Sequence, residues 1–405
     1  MRELILITIS GVDRPAVTSA VMAILEPHQA FILDIGQAVI HDHLSLGLLV
    51  EFPDGQESST AIKEILYLMH EMDMKVRYEP ISESSYKDWV NQQGKDRHIA
   101  TLLARQVSAS QIAAMTQVMA NHGLNIDDIT RLSGRTHLDS HDEKSKACVE
   151  ISARGTPKDL SKLRAQFTEI SARLDVDIAF QADNMYRRTR RLVCFDMDST
   201  LIDAEVIDEL AKAAGVGDQV SAITESAMSG EIDFNESFAR RMALLKGLDE
   251  SVLSNIAENL ILMEGAEHLI STLRKLGYKT AILSGGFNYF GRFLQKKLGI
   301  DYVYANELQI ENGKVTGKVV GDVVNGERKA QLLRELADRE GISLEQVIAV
   351  GDGANDLPML SIAGLGIAFR AKPLVKASAK QSISTLGLDA ILYLMGLRDR
   401  DIHPE

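Results

Sequence analysis

The feature that most constrains this chain is an apolar run at 192–195 that ends directly in two aspartates, Asp196 and Asp198, with Thr200 close behind. Four apolar residues of this kind, LVCF, are typical of a strand buried on both faces of a sheet. Two carboxylates placed so close together repel each other and are costly to remove from water. Either a cation therefore lies between them, or they face open solvent at the end of the strand.

The residues from about 191 onward alternate between strand candidates and longer helical patterns. The strand candidates are 192–196, 279–283, 302–304 and 347–350. Alternation of this kind is typical of a parallel sheet with helices packed on its faces. A helical insertion at about 204–262 separates the first strand from the next helix–strand unit. We therefore predict an α/β fold over 190–398, with a Rossmann-like parallel sheet and a helical cap.

Three of these strand candidates are followed by polar motifs that packing does not require. The motifs are DMDST at 196–200, SGG at 284–286 and GDGAND at 351–356. Taken singly, each motif is compatible with an ordinary turn, and the last with a loop held by Asx turns. In open parallel sheets, however, ligands bind at the carboxyl ends of the strands, where all three motifs would meet.

The converging side chains include hard oxygen donors, which suit Mg²⁺ together with a phosphoryl group. They are Asp196, Asp198, Ser284, Asp352, Asn355 and Asp356. We predict that Asp196 is the nucleophile that forms an aspartyl-phosphate, and that Asp198 acts as general acid and base. Ser284 and the backbone N–H groups near Gly285 and Gly286 are predicted to hold the phosphoryl oxygens.

Lys329 lies in a helical pattern on the same stripe as three leucines, Leu332, Leu333 and Leu336. A lysine in this position usually extends from the edge of the core into water. The alternative is a cation directed at a phosphate. The sequence leaves both interpretations open, and the second is favoured if the strand ends converge as predicted.

The front half of the chain carries the order β-α-β-β-α-β twice, which is typical of a ferredoxin-like α+β module. We predict a first module at 1–82 and a second module at 97–183, joined by a polar linker. In the first module, Gly11 and Asp13 precede a helix whose first turn is predicted to contain Pro15. Asp13 is interpreted either as an N-cap or as a ligand contact.

The composition argues against several functional classes. A formal net charge of -13 argues against binding to nucleic acid or to an anionic membrane surface. The basic run at 186–191 is interpreted as a solvated linker. The two cysteines, Cys148 and Cys194, are too few for a disulfide framework or a thiolate metal site. No signal-peptide or membrane-spanning pattern occurs, so we expect a cytoplasmic protein.

The ordered motifs D-x-D-x-T, strand-end Ser, Lys and G-D-x-x-N-D resemble the phosphatase branch of the haloacid dehalogenase superfamily. The stretch 190–390 resembles the phosphoserine phosphatase family along its whole length. This resemblance implies a Mg²⁺ ion held by Asp196, the backbone carbonyl of Asp198, and Asp352. The phosphate-binding and supporting positions that it implies are Ser284, Gly285, Lys329, Asn355 and Asp356.

The same resemblance assigns the substrate pocket to the helical insertion. Arg241 lies on an apolar helix face, so it either pairs with a buried acid or awaits an anionic ligand. The resemblance favours a substrate carboxylate at Arg241 and a substrate ammonium at Glu205, which is otherwise an ordinary first-turn acid. Met228 and Phe234 are then expected to form the apolar lid. Together these groups describe O-phospho-L-serine, whose hydrolysis is the last step of serine biosynthesis.

The front modules resemble ACT domains, which commonly bind amino acids at interfaces between copies. The resemblance implies a homodimer and a regulatory amino acid such as serine near Gly11 and Asp13. The second module has ARQVSAS at the corresponding loop, without a matching glycine or aspartate, so its ligand site is left open and assembly is its alternative role. Two other functions stay open at this point: action on a related phospho-amino acid such as phosphohomoserine, and amino-acid sensing.

Overall fold

The computed structural model describes residues 2–54, 58–92, 94–135, 145–228 and 231–402, and for Met228 it describes the backbone only. By its internal contacts the chain divides into a first unit, Met1–Lys95, and a second unit, Asp96–Glu405. Within the described residues, no helix is long and apolar enough to cross a membrane.

The first unit contains the first module and a helix that follows it. Its elements are β1 (Glu3–Val12), α1 (Val17–Leu25), β2 (Phe31–Ile40), β3 (His43–Phe52), α2 (Ser58–Glu71), β4 (Lys75–Ile81) and α3 (Glu83–Asn91). The strands form an antiparallel sheet of order β2-β3-β1-β4. Because side chains alternate between the two faces of a strand, Ile5, Ile7 and Ile9 of β1 share one buried face. The predicted ferredoxin-like order is confirmed.

The start of α1 differs from the prediction. The helix begins at Val17, so Pro15 lies outside its first turn. Ala16 is the N-cap residue in a left-handed conformation with φ of 73°, and among the described residues no side chain caps the helix. Asp13 donates its backbone N–H to the carbonyl of Asp42, at 2.6 Å, and does not act as the N-cap. This turn is fixed by a contact with the β2–β3 turn, which the local sequence does not encode.

The second module repeats the same order at the start of the second unit. Its elements are β5 (Arg97–Ala104), α4 (Ala109–Asn121), β6 (Asn125–Arg131), β7 (Ala147–Arg154), α5 (Leu160–Leu174) and β8 (Asp177–Ala182). The sheet order is β6-β7-β5-β8. The two modules differ at their last strand, because β8 is buried over residues 177–181 whereas β4 is largely exposed.

The C-terminal region, from residue 190 onward, covers the edge strand β8 of the second module. The side-chain amide of Gln381 accepts the N–H of Phe180 at 2.8 Å and donates to the Phe180 carbonyl at 2.7 Å. The Asp177 carboxylate accepts two backbone N–H groups, from Ser384 at 2.7 Å and from Thr385 at 2.8 Å. These contacts satisfy polar groups of an edge strand that would otherwise be open to pairing. The second module and the C-terminal region therefore pack directly on each other.

The interpretation of the basic run at 186–191 as a solvated linker is wrong for two of its arginines. Arg187 and Arg190 are each only 4% exposed. Arg187 pairs with Glu150, and Arg190 donates to the side chain of Gln181 at 3.0 Å. The second module provides both acceptors, and these two side chains are buried where it packs on the C-terminal region, whereas Arg188 and Arg191 are exposed.

The C-terminal region contains the parallel sheet. Its first elements are β9 (Leu192–Phe195), the cap helices α6 (Val206–Ala213), α7 (Gly217–Met228), α8 (Phe234–Leu244) and α9 (Ser251–Glu258), and then α10 (Ala266–Lys275) and β10 (Lys279–Phe287). Next come α11 (Asn288–Leu298), β11 (Tyr302–Glu311), β12 (Lys314–Val320), α12 (Gly326–Arg339) and β13 (Val347–Gly351). The last are α13 (Leu357–Ile362), β14 (Leu365–Phe369), α14 (Pro373–Ser378), β15 (Gln381–Ile383), α15 (Ile391–Leu394) and α16 (Asp399–Ile402).

The sheet has the order β12-β11-β10-β9-β13-β14-β15, and only β12 runs antiparallel to its neighbour among the described strands. Val193 and Phe195 of the central strand β9 join the apolar cluster on one face, and Leu192 and Cys194 join the cluster on the other. Full burial of a large apolar side chain contributes about 1.5–3 kcal/mol to folding. The predicted strand, buried on both faces, is confirmed.

Candidate active site

The three polar motifs lie at neighbouring positions of the sheet. Asp196 follows β9, Asp352 follows β13, and Ser284 lies near the end of β10. Because β10, β9 and β13 are adjacent and parallel, their carboxyl ends share one edge. The Asp196 N–H donates to the Val350 carbonyl at 2.9 Å, which extends the strand pairing by one residue to the first aspartate. The motifs thus converge as the sequence predicts.

Asp196, Asp352 and Asp356 form an acidic group at this edge. One carboxylate oxygen from each lies within 4.8 Å of the others. The Thr200 hydroxyl donates to Asp352 at 3.2 Å, and the Gly353 N–H donates to Asp356 at 2.9 Å. Such donors fix the orientation of potential metal ligands. Hard oxygens at this spacing fit a small divalent cation.

Lys329 extends from the first turn of α12 into the acidic group, and its side chain is fully buried. Its Nζ lies 2.9 Å from Asp196 Oδ1 and 2.6 Å from Asp356 Oδ1. Burial alone would lower the pKa of Lys329, but the two carboxylates raise it above its ordinary value, so the side chain is an ammonium. Of the two interpretations of this lysine, the structure supports a cation at the site.

The acidic group retains excess negative charge. When all three carboxylates are ionised they face one ammonium, which leaves two negative charges without a partner inside the group. Burial, followed by the negative charge of Asp196, raises the pKa of Asp352 to about 8. The same two causes raise the pKa of Asp356, although Lys329 opposes that shift. A divalent cation would remove this electrostatic cost, and in this respect the residues fit Mg²⁺.

Ser284 and Gly286 bring β10 close to the aspartates. Ser284 is fully buried, and its hydroxyl accepts the Gly286 N–H at 2.9 Å. A Cβ at Gly286 would lie 2.5 Å from Asp198 Oδ2 and 3.1 Å from Ser284 Oγ. Only glycine therefore permits this approach of β10 to the second aspartate.

Asp198 lies outside the acidic group, and its surroundings favour the protonated form. One carboxylate oxygen accepts the Val206 N–H at 3.1 Å. Burial, then the negative charges of Glu205 and Asp196, raises the pKa of Asp198 well above its ordinary value. The predicted metal contact at this position involves the backbone carbonyl and stays a prediction.

Arg241 and Glu205 lie close enough for each to affect the pKa of the other. The Glu205 carboxylate accepts the Ser199 hydroxyl at 2.8 Å, directly beside the aspartate motif. Burial lowers the pKa of Arg241, whereas the negative charges of Glu205 and Asp208 oppose that shift, and Arg241 Nε donates to the Ser237 carbonyl at 3.4 Å. Arg240, the next residue, instead pairs with Glu236 on the exposed face of α8.

Phe234 lies over the phosphate-binding segment predicted from the sequence. A Cβ at Gly285 would lie 3.2 Å from Phe234 Cζ and 3.7 Å from Asn355 Nδ2. The Phe234 ring stacks with Phe238 at a centroid distance of 6.2 Å, and so it is supported from within the cap. The predicted lid contact of Met228 involves a side chain outside the described residues.

Asn306 is a site residue that the sequence analysis missed. It is 2% exposed in β11, its Nδ2 donates to the Gly285 carbonyl at 2.7 Å, and its Oδ1 accepts the Val324 N–H at 2.8 Å. It thereby ties the glycine segment of β10 to the chain that leads into α12. The only sequence signal is a single amide inside a strand pattern, beside a strand whose end carries a polar motif.

The predicted regulatory residues of the first module occupy different environments. Gly11 lies in β1, where a Cβ would be 2.5 Å from Met74 Sδ, so its role there is close packing. Asp13 lines a shallow hollow of about 430 Å³ together with Arg14, Thr18 and Gln37. A charged and polar hollow of this kind is compatible with a small zwitterionic ligand.

Comparison with known proteins decides the family. Residues 190–364 match the model of the haloacid dehalogenase-like hydrolases, and residues 3–79 and 96–181 each match a model of the ACT domain. A protein named phosphoserine phosphatase SerB2 from Mycobacterium tuberculosis is 39% identical to this chain, over 98% of this chain and 94% of the relative. This chain belongs to the phosphoserine phosphatase family.

Other phosphoserine phosphatases agree with this assignment. One from Streptomyces coelicolor is 38% identical, over 98% of this chain and 93% of the relative. Among solved structures, a probable phosphoserine phosphatase from Vibrio cholerae superposes with a TM-score of 0.58 at 35% identity, covering 74% of this chain and 86% of the other. A HAD family hydrolase from Salmonella enterica serovar Typhi gives a TM-score of 0.63 at 30% identity, covering 73% and 98%. The predicted family, fold class and phosphatase activity are confirmed.

Proposed function

We propose that this protein hydrolyses O-phospho-L-serine to L-serine and inorganic phosphate in a Mg²⁺-dependent reaction through an aspartyl-phosphate on Asp196. The observation that carries the proposal is the contact of Lys329 with Asp196, inside an acidic group beneath the cap that contains Arg241. In this arrangement Asp196 supplies a nucleophile and Lys329 a positive charge for the phosphoryl group. Arg241 supplies a second cation for another anionic group of the same ligand.

The cation is assigned to the acidic group. Asp196, Asp352 and the backbone carbonyl of Asp198 are the proposed ligands, and the position of Asp356 in the group supports a contribution from it as well. When bound, Mg²⁺ would neutralise charge on the acids and on the phosphoryl oxygens. Ser284, Gly285, Lys329 and Asn355 are the proposed phosphate contacts, with Thr200 and Gly286 as supporting residues.

The proposed first step is attack of Asp196 on phosphorus. Its Oδ1 accepts the Met197 N–H at 2.7 Å and pairs with Lys329, so we assign the attack to Oδ2. The new Asp196–phosphorus bond forms as the bond from phosphorus to the serine oxygen breaks. Protonated Asp198 gives its proton to that leaving oxygen, which its raised pKa supports.

The second step returns the enzyme to its starting state. Water attacks phosphorus, its proton passes to Asp198, and the bond between Asp196 and phosphorus breaks. The products are inorganic phosphate and a free Asp196 carboxylate. The two aspartates thus keep separate roles throughout the cycle.

The cap is proposed to select the amino-acid part of the substrate. Arg241 would bind the carboxylate, Glu205 the ammonium, and the ring of Phe234 would cover the pocket, with Met228 as a further lid residue. The exposed position of Arg240 supports the assignment of Arg241 as the anion contact.

Release of inorganic phosphate from O-phospho-L-serine tests the proposal. We expect turnover with Mg²⁺, loss of turnover with EDTA, and recovery when Mg²⁺ is added back. Asp196→Asn keeps the size of the side chain but removes the nucleophile, so turnover should fall by about 10⁴-fold or more. A faster release from O-phosphohomoserine than from O-phospho-L-serine would overturn the proposed substrate, and full activity of Asp196→Asn would overturn the mechanism.

The front half is proposed to regulate and assemble the enzyme. We place the domain boundaries at 1–82, 97–183 and 190–398, and propose that the hollow at Asp13 binds an amino acid such as serine, with Gly11 in a packing role. Exposed apolar residues on β2 support a homodimer, and buried, unpaired Cys148 and Cys194 support a location in the cytoplasm.

A further inference from the structure

Two short segments connect the cap to the parallel sheet. Residues 201–203 lead into the cap and residues 261–263 lead out of it. They lie side by side, because Ile202 pairs antiparallel with Leu262 and backbone hydrogen bonds of 2.9 Å join the flanking residues on both sides. Any movement of the cap over the strand ends has to bend this pair of segments, which we call the hinge ribbon.

The hinge ribbon is continuous with the catalytic motif on one side. The Leu201 N–H donates to the Met197 carbonyl at 2.9 Å, so the first segment begins in the turn that holds Asp196 and Asp198. The cap residues Glu205 and Arg241 both follow this segment. The position of the hinge ribbon therefore determines where the cap places its substrate contacts relative to the nucleophile.

Glu264, the residue that follows the second segment, is held by two arginines. Arg105 Nη2 lies 2.9 Å from each carboxylate oxygen of Glu264, and Arg370 Nη2 lies 2.6 Å from Oε2. Arg370 also contacts Met263 Sδ at 3.4 Å. The Arg105 and Glu264 side chains are 32% and 25% exposed, so the pair is partly shielded from water and worth more than an exposed ion pair.

Arg105 belongs to the second module, whereas Glu264 and Arg370 belong to the C-terminal region. Arg105 directly follows β5, in the loop that corresponds to the Asp13 loop of the first module. In the first module that loop lines the hollow. In the second module the arginine of the loop forms an ion pair with Glu264. The equivalent loop thus has a different task in each copy.

Further contacts hold the end of the hinge ribbon that leads into α10. The Glu264 carbonyl accepts the Leu388 N–H at 2.7 Å. Gly265 has a φ of 79°, and a Cβ there would lie 2.3 Å from Asp389 Oδ1, so this carboxylate lies directly beneath the start of α10. Lys146 of the second module pairs with Asp389. The second module therefore provides a cation for Glu264 and another for Asp389, the two acids at the α10 end of the hinge ribbon.

We propose that Arg105 is a positioning residue for phosphoserine hydrolysis: through Glu264 it fixes the core end of the hinge ribbon and so favours closure of the cap over the substrate. The proposal rests on the proposed function. Without this anchor the cap samples more orientations, and part of the binding free energy of the amino-acid group is spent on restricting them. A phosphate ester without carboxylate or ammonium makes no use of the cap contacts and is insensitive to the loss.

Steady-state kinetics of the full chain test this inference. Arg105→Ala should raise KM for O-phospho-L-serine by about 3- to 10-fold, with kcat changed less, and should change kcat/KM for p-nitrophenyl phosphate by less than about 2-fold. Arg105→Lys keeps the charge and should recover part of the loss. Gln381→Ala is the matched control, because it weakens the same interface at Phe180, away from the hinge ribbon.

Glu264→Gln provides a second route to the same contact. It should raise KM in the same direction, and the double variant with Arg105→Ala should be no worse than Glu264→Gln alone, because Glu264→Gln already removes the ion pair with Arg105 together with the pair with Arg370. Hydrogen exchange should be faster at 201–203 and 261–263 in Arg105→Ala than in the unchanged protein. If Arg105→Ala does not fold, Glu264→Gln and Arg105→Lys decide the matter alone.

Several results would overturn the inference. Equal losses with both substrates would indicate general destabilisation, unchanged kinetics would show that the contact is irrelevant to closure, and the same selective loss in Gln381→Ala would assign the effect to the whole interface. Absence of phosphoserine hydrolysis by the unchanged protein would instead refute the proposed function.

Discussion

At the scale of single residues, two aspartates two positions apart suit different roles because their surroundings differ. Asp196 Oδ1 lies 2.9 Å from Lys329 Nζ and accepts the Met197 N–H at 2.7 Å. Asp198 is buried next to Glu205 and Asp196, and its pKa is raised well above its ordinary value. One environment thus suits a nucleophile and the other a proton donor, a division of roles common to paired catalytic acids.

Arg241 provides a sharp test at this scale, because the chain offers a matched control beside it. Arg241→Ala should lower kcat/KM for O-phospho-L-serine by about 10- to 100-fold, the effect of losing one charge-assisted hydrogen bond of roughly 1.5–3 kcal/mol. Arg240→Ala should leave it within about 2-fold, because an exposed ion pair on a helix contributes little. The measurement is phosphate release over a range of substrate concentrations.

The second substrate in this test is p-nitrophenyl phosphate, which has no carboxylate. Arg241→Ala should change its kcat/KM by less than about 3-fold, since the lost contact is specific for the amino-acid group. A loss of equal size for both esters would mean that Arg241 supports the fold of the cap and does not bind the substrate.

The sequence predicts site residues well where they occur in local motifs, and poorly where they act alone. DMDST and GDGAND place several polar groups directly after strands, and the structure brings them together. Asn306 and Glu264 are single polar residues without a local motif, and their partners are distant in the chain. Their roles follow from tertiary contacts, which one sequence does not specify.

At the scale of elements, the site depends on three parallel strands that end at one edge of the sheet. Each strand has a buried apolar stretch, and the polar groups of the site follow it: Asp196 comes after Phe195, Ser284 after Leu283, and Asp352 after β13. The result is a concentration of carboxylates in a partly buried place, with a pKa of about 8 for Asp352. The same burial that orders the strands makes their ends costly to charge.

The free-energy cost of ionising these buried carboxylates predicts how the stabilisation by Mg²⁺ depends on pH. The folded pKa of Asp352 without metal is raised from 3.8 to about 8, so its contribution to stability is present below about pH 4 and is lost as pH rises through about 8. Mg²⁺ requires the ionised carboxylate and competes with the proton. The increase in Tm that Mg²⁺ produces should therefore be larger at about pH 8.5 than at about pH 6.

Thermal unfolding with Mg²⁺ or with EDTA at each pH measures this difference. Asp352→Asn carries no titrating carboxylate and should show a smaller Mg²⁺ effect with a weaker pH dependence. An Mg²⁺ effect that shrinks as pH rises, or one that is unchanged in Asp352→Asn, would contradict the assignment of the metal to this acidic group.

The order of elements was predictable because hydrophobic periodicity and turn residues encode it locally. The start of a helix and the burial of charged linker residues were less predictable from the sequence. The backbone contact of Asp13 with Asp42 displaces the start of α1, and the acceptors of the second module bury Arg187 and Arg190. In both cases a partner outside the local window decides the outcome.

At the scale of the whole molecule, one ferredoxin-like module serves two purposes. In the second module the last strand is buried against the C-terminal region, through Asp177, Phe180 and their partners. In the first module β4 is largely exposed, and β2 is exposed at every residue except the half-buried Leu33. The second module is thus packed on the C-terminal region, and the sheet of the first module has exposed edge strands.

The open edge of the first module predicts the oligomeric state. Phe31, Ile35 and Ile40 of β2 are 60%, 52% and 77% exposed, and a long apolar edge strand is prone to pair with another chain. We therefore expect a homodimer that pairs through β2. Ile35→Lys should raise the dimer dissociation constant by about 100-fold, because the change removes an apolar contact and places like charges near the two-fold axis.

Sedimentation of the full chain over a range of concentrations measures this change. Tyr67→Lys is the matched control, since Tyr67 is 67% exposed on α2, outside the β2 edge. Both variants should keep the circular dichroism spectrum of the unchanged protein, because the substituted side chains are exposed in the monomer. If Ile35→Lys stays dimeric while Tyr67→Lys dissociates, the interface lies on the helical face of the module, and pairing through β2 is wrong.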